Sequence, residues 1–213
     1  MPNKIFIFVF LLFCSANIEN AHAQQPVAAE AAPISYGFVV DNSGSYRVFI
    51  ERIITMVTAI AETITDKDEA FLITFVDNTK TSVRQEFTSD KAELKDAAEN
   101  MFIEGGQTMV LDAVRLSIDY LSANAKPNEG RRRAILLITD GDDRGSSAKV
   151  ETVISAAKNA NAKLIIVGMS EEKVNTKLLD RLAKETGGRV FYPRTPKEAI
   201  AMTADVAASL RGN

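Results

Sequence analysis

The sequence feature that most constrains the fold is an alternation of short, almost continuously apolar segments with longer segments of helical periodicity. Strands that are apolar on both faces are typical of a parallel sheet covered by helices on both sides. Amphipathic helices between such strands indicate a doubly wound α/β domain. We therefore predict an α/β fold of three layers, doubly wound and Rossmann-like, with a mostly parallel sheet in the middle. The apolar segments are SYGFVVD (35–41), EAFLITFV (69–76), RAILLIT (133–139) and AKLIIVG (162–168).

The remaining segments complete one domain over residues 34–213. The segment 81–87 alternates only weakly and follows a turn at 77–80, so we predict one antiparallel edge strand there. A short strand is predicted at 189–192, before a closing helix that has Pro196 in its first turn. Apolar residues recur at helical spacing in the segments 46–65, 91–101, 109–124, 147–159, 175–186 and 196–210.

The first 23 residues have the pattern of a secretory signal peptide. Lys4 precedes an apolar run at 5–14, and Ala21-His22-Ala23 forms a small-x-small cleavage site. A run of about ten residues is too short to span a bilayer comfortably, and the alternative is a retained N-terminal anchor. We expect a secreted or periplasmic protein cleaved after Ala23, with a flexible lead at 24–33 and no membrane span in the mature chain.

Removal of the signal peptide restricts the chemistry of the mature chain. Cys14 and His22 are the only cysteine and histidine in the sequence, and both lie before the cleavage site. Zinc sites of the Cys/His type and Ser-His or Cys-His nucleophiles are therefore excluded. The formal net charge of −3, with both signs interspersed, gives no indication of nucleic-acid binding. Carboxylates, hydroxyls or a hard cation must supply the chemistry.

Oxygen-rich loops occur where this fold places its ligands. In open α/β sheets, ligands bind beyond the carboxyl ends of the strands, where the strand order reverses. The loop DNSGS (41–45) follows the first predicted strand, and the loop TDGDD (139–143) follows the strand at 133–139. The loop GGQT (105–108) directly precedes a predicted helix. We expect the topology to bring all three loops to one edge of the sheet.

The donors in these loops suit a hard divalent cation, which prefers oxygen ligands. Ser43 and Ser45 can direct two hydroxyls to one point from a tight loop, and Thr108 adds a third. Asp41 and Asp140 supply the negative charge that favours cation binding, by direct contact or through water. We expect Mg²⁺ in the first place, with Mn²⁺ or Ca²⁺ as alternatives, because hydroxyl-rich sites admit all three.

The pattern Asp41-x-Ser43-x-Ser45, with Thr108 in a Gly-Gly-x-Thr context and Asp140 in a Thr-Asp-Gly context, resembles the metal-ion-dependent adhesion site of von Willebrand factor A domains. The resemblance covers roughly residues 34–210. It implies a metal with mostly hydroxyl ligands and one open position, which an Asp or Glu carboxylate of a protein partner fills. Together with the secretory pattern of residues 1–23, it leads us to expect an exported adhesion or assembly module and no enzyme activity.

Other interpretations of these loops remain open. Alone, the Asp41 loop and Thr108 could be helix N-caps, and Asp140 could belong to an ordinary turn. One functional alternative is a magnesium-dependent phosphohydrolase with Asp41 as nucleophile. Such enzymes carry a second aspartate where this chain has Ser43, and these loops contain no lysine. A scaffold subunit with a purely structural metal is the other alternative.

Three further features depart from the pattern or lie outside it. Integrin-type relatives carry acidic residues after the second serine to hold another ion, whereas Tyr46-Arg47 stands here, so a second metal is not expected. We interpret Asp142 and Asp143 as part of a solvated loop, with an influence on partner choice as the alternative. The run Arg131–Arg133 is interpreted as the solvated start of a strand, with a phosphate or acidic-partner contact as the alternative.

Overall fold

A single mixed sheet forms the middle layer of the computed structural model, which describes residues 32–127, 130–171 and 173–212. Its strand order is β3-β2-β1-β4-β5-β6, with β3 antiparallel to β2 and every other pair parallel. This confirms the predicted mostly parallel sheet with one antiparallel edge strand. The strands are β1 (Ile34–Asp41), β2 (Glu69–Phe75), β3 (Thr81–Thr88), β4 (Arg132–Thr139), β5 (Ala162–Gly168) and β6 (Arg189–Phe191).

Helices cover both faces of this sheet and bury two apolar clusters against it. One cluster packs α1, α2, α6 and α7 against the sheet, and the other packs α3, α4 and α5 against the opposite face. The helices are α1 (Ile50–Ala61), α2 (Lys91–Glu99), α3 (Val110–Asn124), α4 (Val150–Asn159), α5 (Thr176–Glu185), α6 (Pro196–Ala201) and α7 (Thr203–Leu210). Within the described ranges, no helix is both long and apolar enough to cross a membrane. The predicted signal peptide at 1–23 lies outside the described residues, as does the predicted lead up to residue 31.

Three predicted helices differ from the structure, and one of them, predicted at 147–159, begins only at Val150. The helix predicted at 46–65 begins only at Ile50, after a separate 3-10 turn at Gly44–Tyr46. The helix predicted at 196–210 is two helices that meet at Met202. The hydroxyl of Thr203 lies 3.3 Å from the carbonyl oxygen of Ala199, one turn earlier. Bonds of the same type occur at Thr55 and Thr58 inside the unbroken helix α1, so this bond alone does not account for the break.

The amino-terminal edge of the sheet is held by a buried carboxylate. Asp68 accepts hydrogen bonds from the backbone N–H of Ile34 at 3.0 Å and of Thr65 at 2.9 Å. Arg211, just after α7, donates to the same carboxylate at 2.8 Å. Burial raises the pKa of Asp68, but these bonds lower it by more, so the net shift is downward. The carboxylate thus stays ionised and joins the start of β1 to the end of the last helix.

Candidate metal centre

Asp41 is the last residue of β1, and its side chain is fully buried. Its Oδ1 accepts the backbone N–H of Ser43 at 3.0 Å, and its Oδ2 accepts the hydroxyl of Thr139 at 2.9 Å. The carboxylate therefore joins the carboxyl ends of the neighbouring strands β1 and β4. Burial raises the pKa of Asp41 to about 6, although the hydrogen bonds from Ser43 and Thr139 oppose this shift.

Ser43 and Ser45 have their hydroxyl oxygens 3.1 Å apart. The 3-10 turn that follows Ser43 places them, because the N–H of Tyr46 donates to the carbonyl of Ser43 at 3.0 Å. Tyr46 is itself fully buried, and its hydroxyl donates to the carbonyl of Met169 at 3.0 Å. A tyrosine anchored at the end of β5 thus fixes the loop that carries both serines.

Thr108 lies on a loop that is held to β2 and to the loop after β4. The N–H of Met109 donates to the carbonyl of Val76 at 2.7 Å, and the N–H of Arg144 donates to the carbonyl of Thr108 at 2.8 Å. Gly106 has a φ of +140°, and a Cβ there would lie 2.7 Å from a methyl carbon of Val76. Among the described residues, the Thr108 hydroxyl has no hydrogen-bond partner, so it is available to a ligand.

Asp140 follows β4, and only 8% of the residue surface is exposed. Its Oδ1 accepts the N–H of Asp142 at 2.9 Å, and its main-chain carbonyl accepts the N–H of Asn175 at 2.8 Å. Burial is the main cause of a raised pKa of this carboxyl group, and the charge of Asp142 adds to it. The side chain is therefore fixed at the same sheet edge as Asp41.

One cavity of about 360 Å³ collects residues from all three predicted loops. Ser43, Ser45, Thr108 and Asp140 line it, as expected from the sequence. Asp41 is not part of the lining and lies behind the Ser43 loop. Other lining residues are Gly44, Gly106, Gln107, Asp142, Arg144, Ser170, Glu171 and Lys173.

The donor set of this cavity fits a hard divalent cation. The described residues contain no cluster of three or more Cys, His, Asp or Glu side chains, so a cation here would depend on hydroxyl oxygens as well as carboxylates. Asp41 and Asp140 are two carboxylates whose pKa values are raised mainly by burial, and the charge of Asp140 adds to the effect on Asp41. A bound cation would stabilise the ionised form of both. The unpartnered Thr108 hydroxyl and the adjacent serine hydroxyls complete an oxygen-only set.

A hydrogen-bonded cross-link joins the loop after β1 to the segment 102–104, and no sequence pattern predicted it. The amide Nδ2 of Asn42 donates to the carbonyl of Phe102 at 3.1 Å and to the carboxylate of Glu104 at 3.3 Å. Arg84 on β3 donates to the same carboxylate at 2.7 Å. Asn42 lies between Asp41 and Ser43 and carried no pattern of its own, so nothing in the sequence indicated this role.

The two aspartates after Asp140 have different positions. Asp142 lines the cavity and pairs with Arg144 at 2.6 Å. Asp143 accepts the N–H of Leu111 at 3.2 Å and the hydroxyl of Ser146 at 2.5 Å, so it holds the start of α3. The loop is thus partly structural, and only Asp142 of this pair faces the cavity.

Comparisons with known proteins agree with this fold. The model of the von Willebrand factor type A domain family matches residues 37–204, a range that contains all five predicted ligands. No curated protein matches the sequence significantly.

Solved structures share the fold at low sequence identity. An aerotolerance-related membrane protein from Bacteroides fragilis is 16% identical, with a TM-score of 0.67 over 84% of this chain and 100% of that chain. The vWF domain of the type V pili tip protein Mfa5 from Porphyromonas gingivalis is 12% identical, with a TM-score of 0.65 over 85% and 96%. The pilus adhesin SpaC from Lactobacillus rhamnosus GG is 14% identical, with a TM-score of 0.65 over 85% and 30%. At these identities the likeness shows the fold alone.

Proposed function

Because the chain belongs to the von Willebrand factor type A domain family, we propose that it is an exported, non-enzymatic module that binds a partner protein through a divalent cation. Asp41, Ser43, Ser45, Thr108 and Asp140 would hold the cation, with Mg²⁺ first and Mn²⁺ or Ca²⁺ as alternatives. The partner would contribute an Asp or Glu carboxylate. The observation that carries this proposal is the meeting of three distant loops in one oxygen-lined cavity.

The residues of the site have distinct parts in this proposal. Neutral hydroxyls, such as those of Ser43, Ser45 and Thr108, bind a cation without cancelling its charge. A hard divalent cation bound there would attract an acidic side chain from outside. Asp41 would orient the Ser43 loop and balance the charge from behind, because its oxygens already bond to Ser43 and Thr139.

The position of Asp41 favours binding over phosphoryl transfer. A nucleophilic carboxylate must reach the phosphorus atom, but Asp41 is fully buried and does not line the cavity. Both of its oxygens accept hydrogen bonds at 3.0 Å or less. A screen for phosphatase turnover in Mg²⁺ should therefore be negative, and turnover that disappears in Asp41→Asn would reverse this preference.

A second cavity supports an acidic partner. It measures about 490 Å³ and shares Ser170 and Lys173 with the cavity described above. Arg52, Lys173 and Arg194 line it, and no described carboxylate does. Phe49 adds an aromatic wall under the Arg52 guanidinium, 5.4 Å from the ring centre. This second cavity, called the groove below, would complement a partner segment that carries further acidic residues next to the carboxylate bound to the metal.

Reversal of charge in this groove should weaken capture of the partner. We expect Arg194→Glu to lower partner affinity by about 10-fold or less, mainly through the association rate, because rim charges steer the encounter. Mg²⁺ affinity should not change. Surface plasmon resonance at two ionic strengths measures the partner affinity and the association rate. Lys95→Glu, on the exposed face of α2, is the control. Equal losses in the two variants would remove the groove from the binding surface.

Metal dependence of capture tests the proposed function directly. The mature protein is immobilised, incubated with cell-surface or medium proteins in Mg²⁺, and eluted with EDTA. We expect wild type to release a defined partner and Thr108→Val to release none, because valine matches threonine in shape and lacks the hydroxyl. Circular dichroism controls for the fold. Capture that persists in EDTA contradicts the proposal, and loss of affinity after Asp/Glu→Asn/Gln changes in the partner supports the carboxylate.

Export is part of the proposal as well. It rests on the secretory pattern of residues 1–23 and on the likeness of the fold to a pilus adhesin and a pili tip domain. Intact-mass measurement of the native protein from periplasm or medium should give a chain that begins at Gln24. A chain that keeps residues 1–23 contradicts cleavage after Ala23.

A further inference from the structure

A concave cluster of cationic side chains lies at the edge of the sheet opposite the metal centre. Arg131, Arg132, Arg133 and Lys163 line one cavity of about 320 Å³, together with Asn161, Leu210 and Gly212. Arg132 begins β4, and Lys163 is the second residue of β5. The metal centre follows the carboxyl ends of the same parallel strands, so the two cavities are separated by the length of the sheet.

This arginine cavity, defined as Arg131–Arg133 with Lys163, has no neutralising carboxylate in the described part of the chain. None of its four cations forms an ion pair there, and none of its described lining residues is acidic. Arg211 nearby provides the contrast, because it pairs with Asp68 at 2.8 Å. Like charges gathered in one concavity repel one another, and a bound anion would relieve that repulsion.

Two of the guanidinium groups are held by backbone carbonyls. Nη1 of Arg131 donates to the carbonyl of Ile34 at 3.3 Å, and Nη1 of Arg133 donates to the carbonyl of Ala160 at 3.5 Å. The Nε of Arg131 is buried and has no hydrogen-bond partner among the described residues. The two Nη1 bonds thus hold the guanidinium groups of Arg131 and Arg133 in place before any ligand arrives.

We propose that the arginine cavity binds a phosphate group, either free or carried by a lipid headgroup. A phosphate carries up to two negative charges and several acceptor oxygens, which suits four cations better than a single carboxylate does. The forked N–H groups of arginine match phosphate oxygens in bidentate pairs. This site is independent of the metal centre and of the function proposed for it.

Titration with inorganic phosphate tests the proposal. Amide chemical shifts of the mature protein are followed in EDTA, at constant ionic strength set with chloride. We expect saturable shifts at residues 131–133 and 161–163, and none at residues 43–45. In the double variant Arg132→Ala/Lys163→Ala, the phosphate affinity obtained from these shifts should fall by about 10-fold, because charge-assisted hydrogen bonds are stronger than neutral ones. Both side chains are exposed, so the fold should persist, and Lys163→Glu serves as a second variant.

Lys95→Ala/Lys177→Ala removes the same charge from exposed helix positions and should bind phosphate like wild type. Shifts spread over all surface cations, or unchanged in both cavity variants, overturn the proposal. Flotation with phosphatidylglycerol vesicles, compared with phosphatidylcholine vesicles, separates the two sources once phosphate binding is established. If the protein floats with phosphatidylglycerol vesicles and free phosphate abolishes this, the ligand is a lipid headgroup. If the protein does not float, the ligand is a soluble phosphate.

Discussion

Asp41→Asn is expected to lower Mg²⁺ affinity by about 100-fold, the upper range for changes to residues that support metal ligands. The substitution keeps the size of the side chain but removes one of the two carboxylate charges among the five predicted ligands. It also replaces an acceptor of the Thr139 hydroxyl or the Ser43 N–H by a donor. Isothermal titration calorimetry with Mg²⁺ measures the change at pH 8, where wild-type Asp41 is ionised.

The same variant should gain stability when no metal is present. Burial raises the pKa of Asp41 to about 6, from about 4 in the unfolded chain. The stabilisation linked to this carboxyl group is present below pH 4 and is lost as the pH rises through 6. We expect metal-free Asp41→Asn to exceed wild type by about 1–2 kcal/mol at pH 8, because asparagine places no charge in the buried position.

Denaturant unfolding in EDTA between pH 4 and pH 8 distinguishes this account from a purely structural one. The stability difference between variant and wild type should shrink as the pH falls towards 4. A variant that is less stable than wild type throughout this range would mean that Asp41 serves the fold and not a cation. Ser35→Ala, at the other end of β1, controls for loss of a buried hydrogen bond.

Gly106→Ala is expected to lower both stability and metal affinity. The backbone at Gly106 has a φ of +140°, and an added Cβ would lie 2.7 Å from Val76. Backbone strain and overpacking together should cost about 3 kcal/mol in the free energy of unfolding. The loop must shift to relieve the contact, so the Thr108 hydroxyl two residues later should leave its place and Mg²⁺ affinity should fall by about 10-fold.

Gly130→Ala is the matched control for this prediction. Gly130 also has a positive φ, +84°, but a Cβ there would meet no atom of the described residues within 4 Å. We expect a loss of about 1 kcal/mol from backbone strain alone, with Mg²⁺ affinity unchanged. Urea unfolding and calorimetry compare the two variants. Wild-type Mg²⁺ affinity in Gly106→Ala would show that the position of the 105–108 loop does not matter to the cation.

The sheet could be predicted from the sequence because its strands are apolar on both faces. The segment Ala134–Ile138 in the centre of the sheet is fully buried. An apolar run of this kind is either an interior strand or part of a buried helix, and its short length favoured the strand. Helix ends were less predictable. The helical spacing of apolar residues continues through Tyr46, but a 3-10 turn places that tyrosine, whose hydroxyl bonds to the distant Met169.

The site was predictable as far as residue type and topology determine it. Serine, threonine and aspartate in loops at one sheet edge indicated a cation, and four of the five predicted side chains do line one cavity. The place of Asp41 behind the lining depends on its bonds to Ser43 and Thr139. The latter is 98 residues away in sequence, and no local pattern reports such a contact. The Asn42–Glu104 cross-link is hidden for the same reason.

Paramagnetic broadening by Mn²⁺ tests the central claim most directly, because it locates a bound cation without any partner. At substoichiometric Mn²⁺, the amide signals of residues 43–45, 106–109 and 140–142 should disappear first and return when excess Mg²⁺ is added. Signals of residues 131–133, at the opposite edge of the sheet, should remain. Broadening that spreads over surface carboxylates, or that leaves the three loops unaffected, would contradict a cation site at this edge.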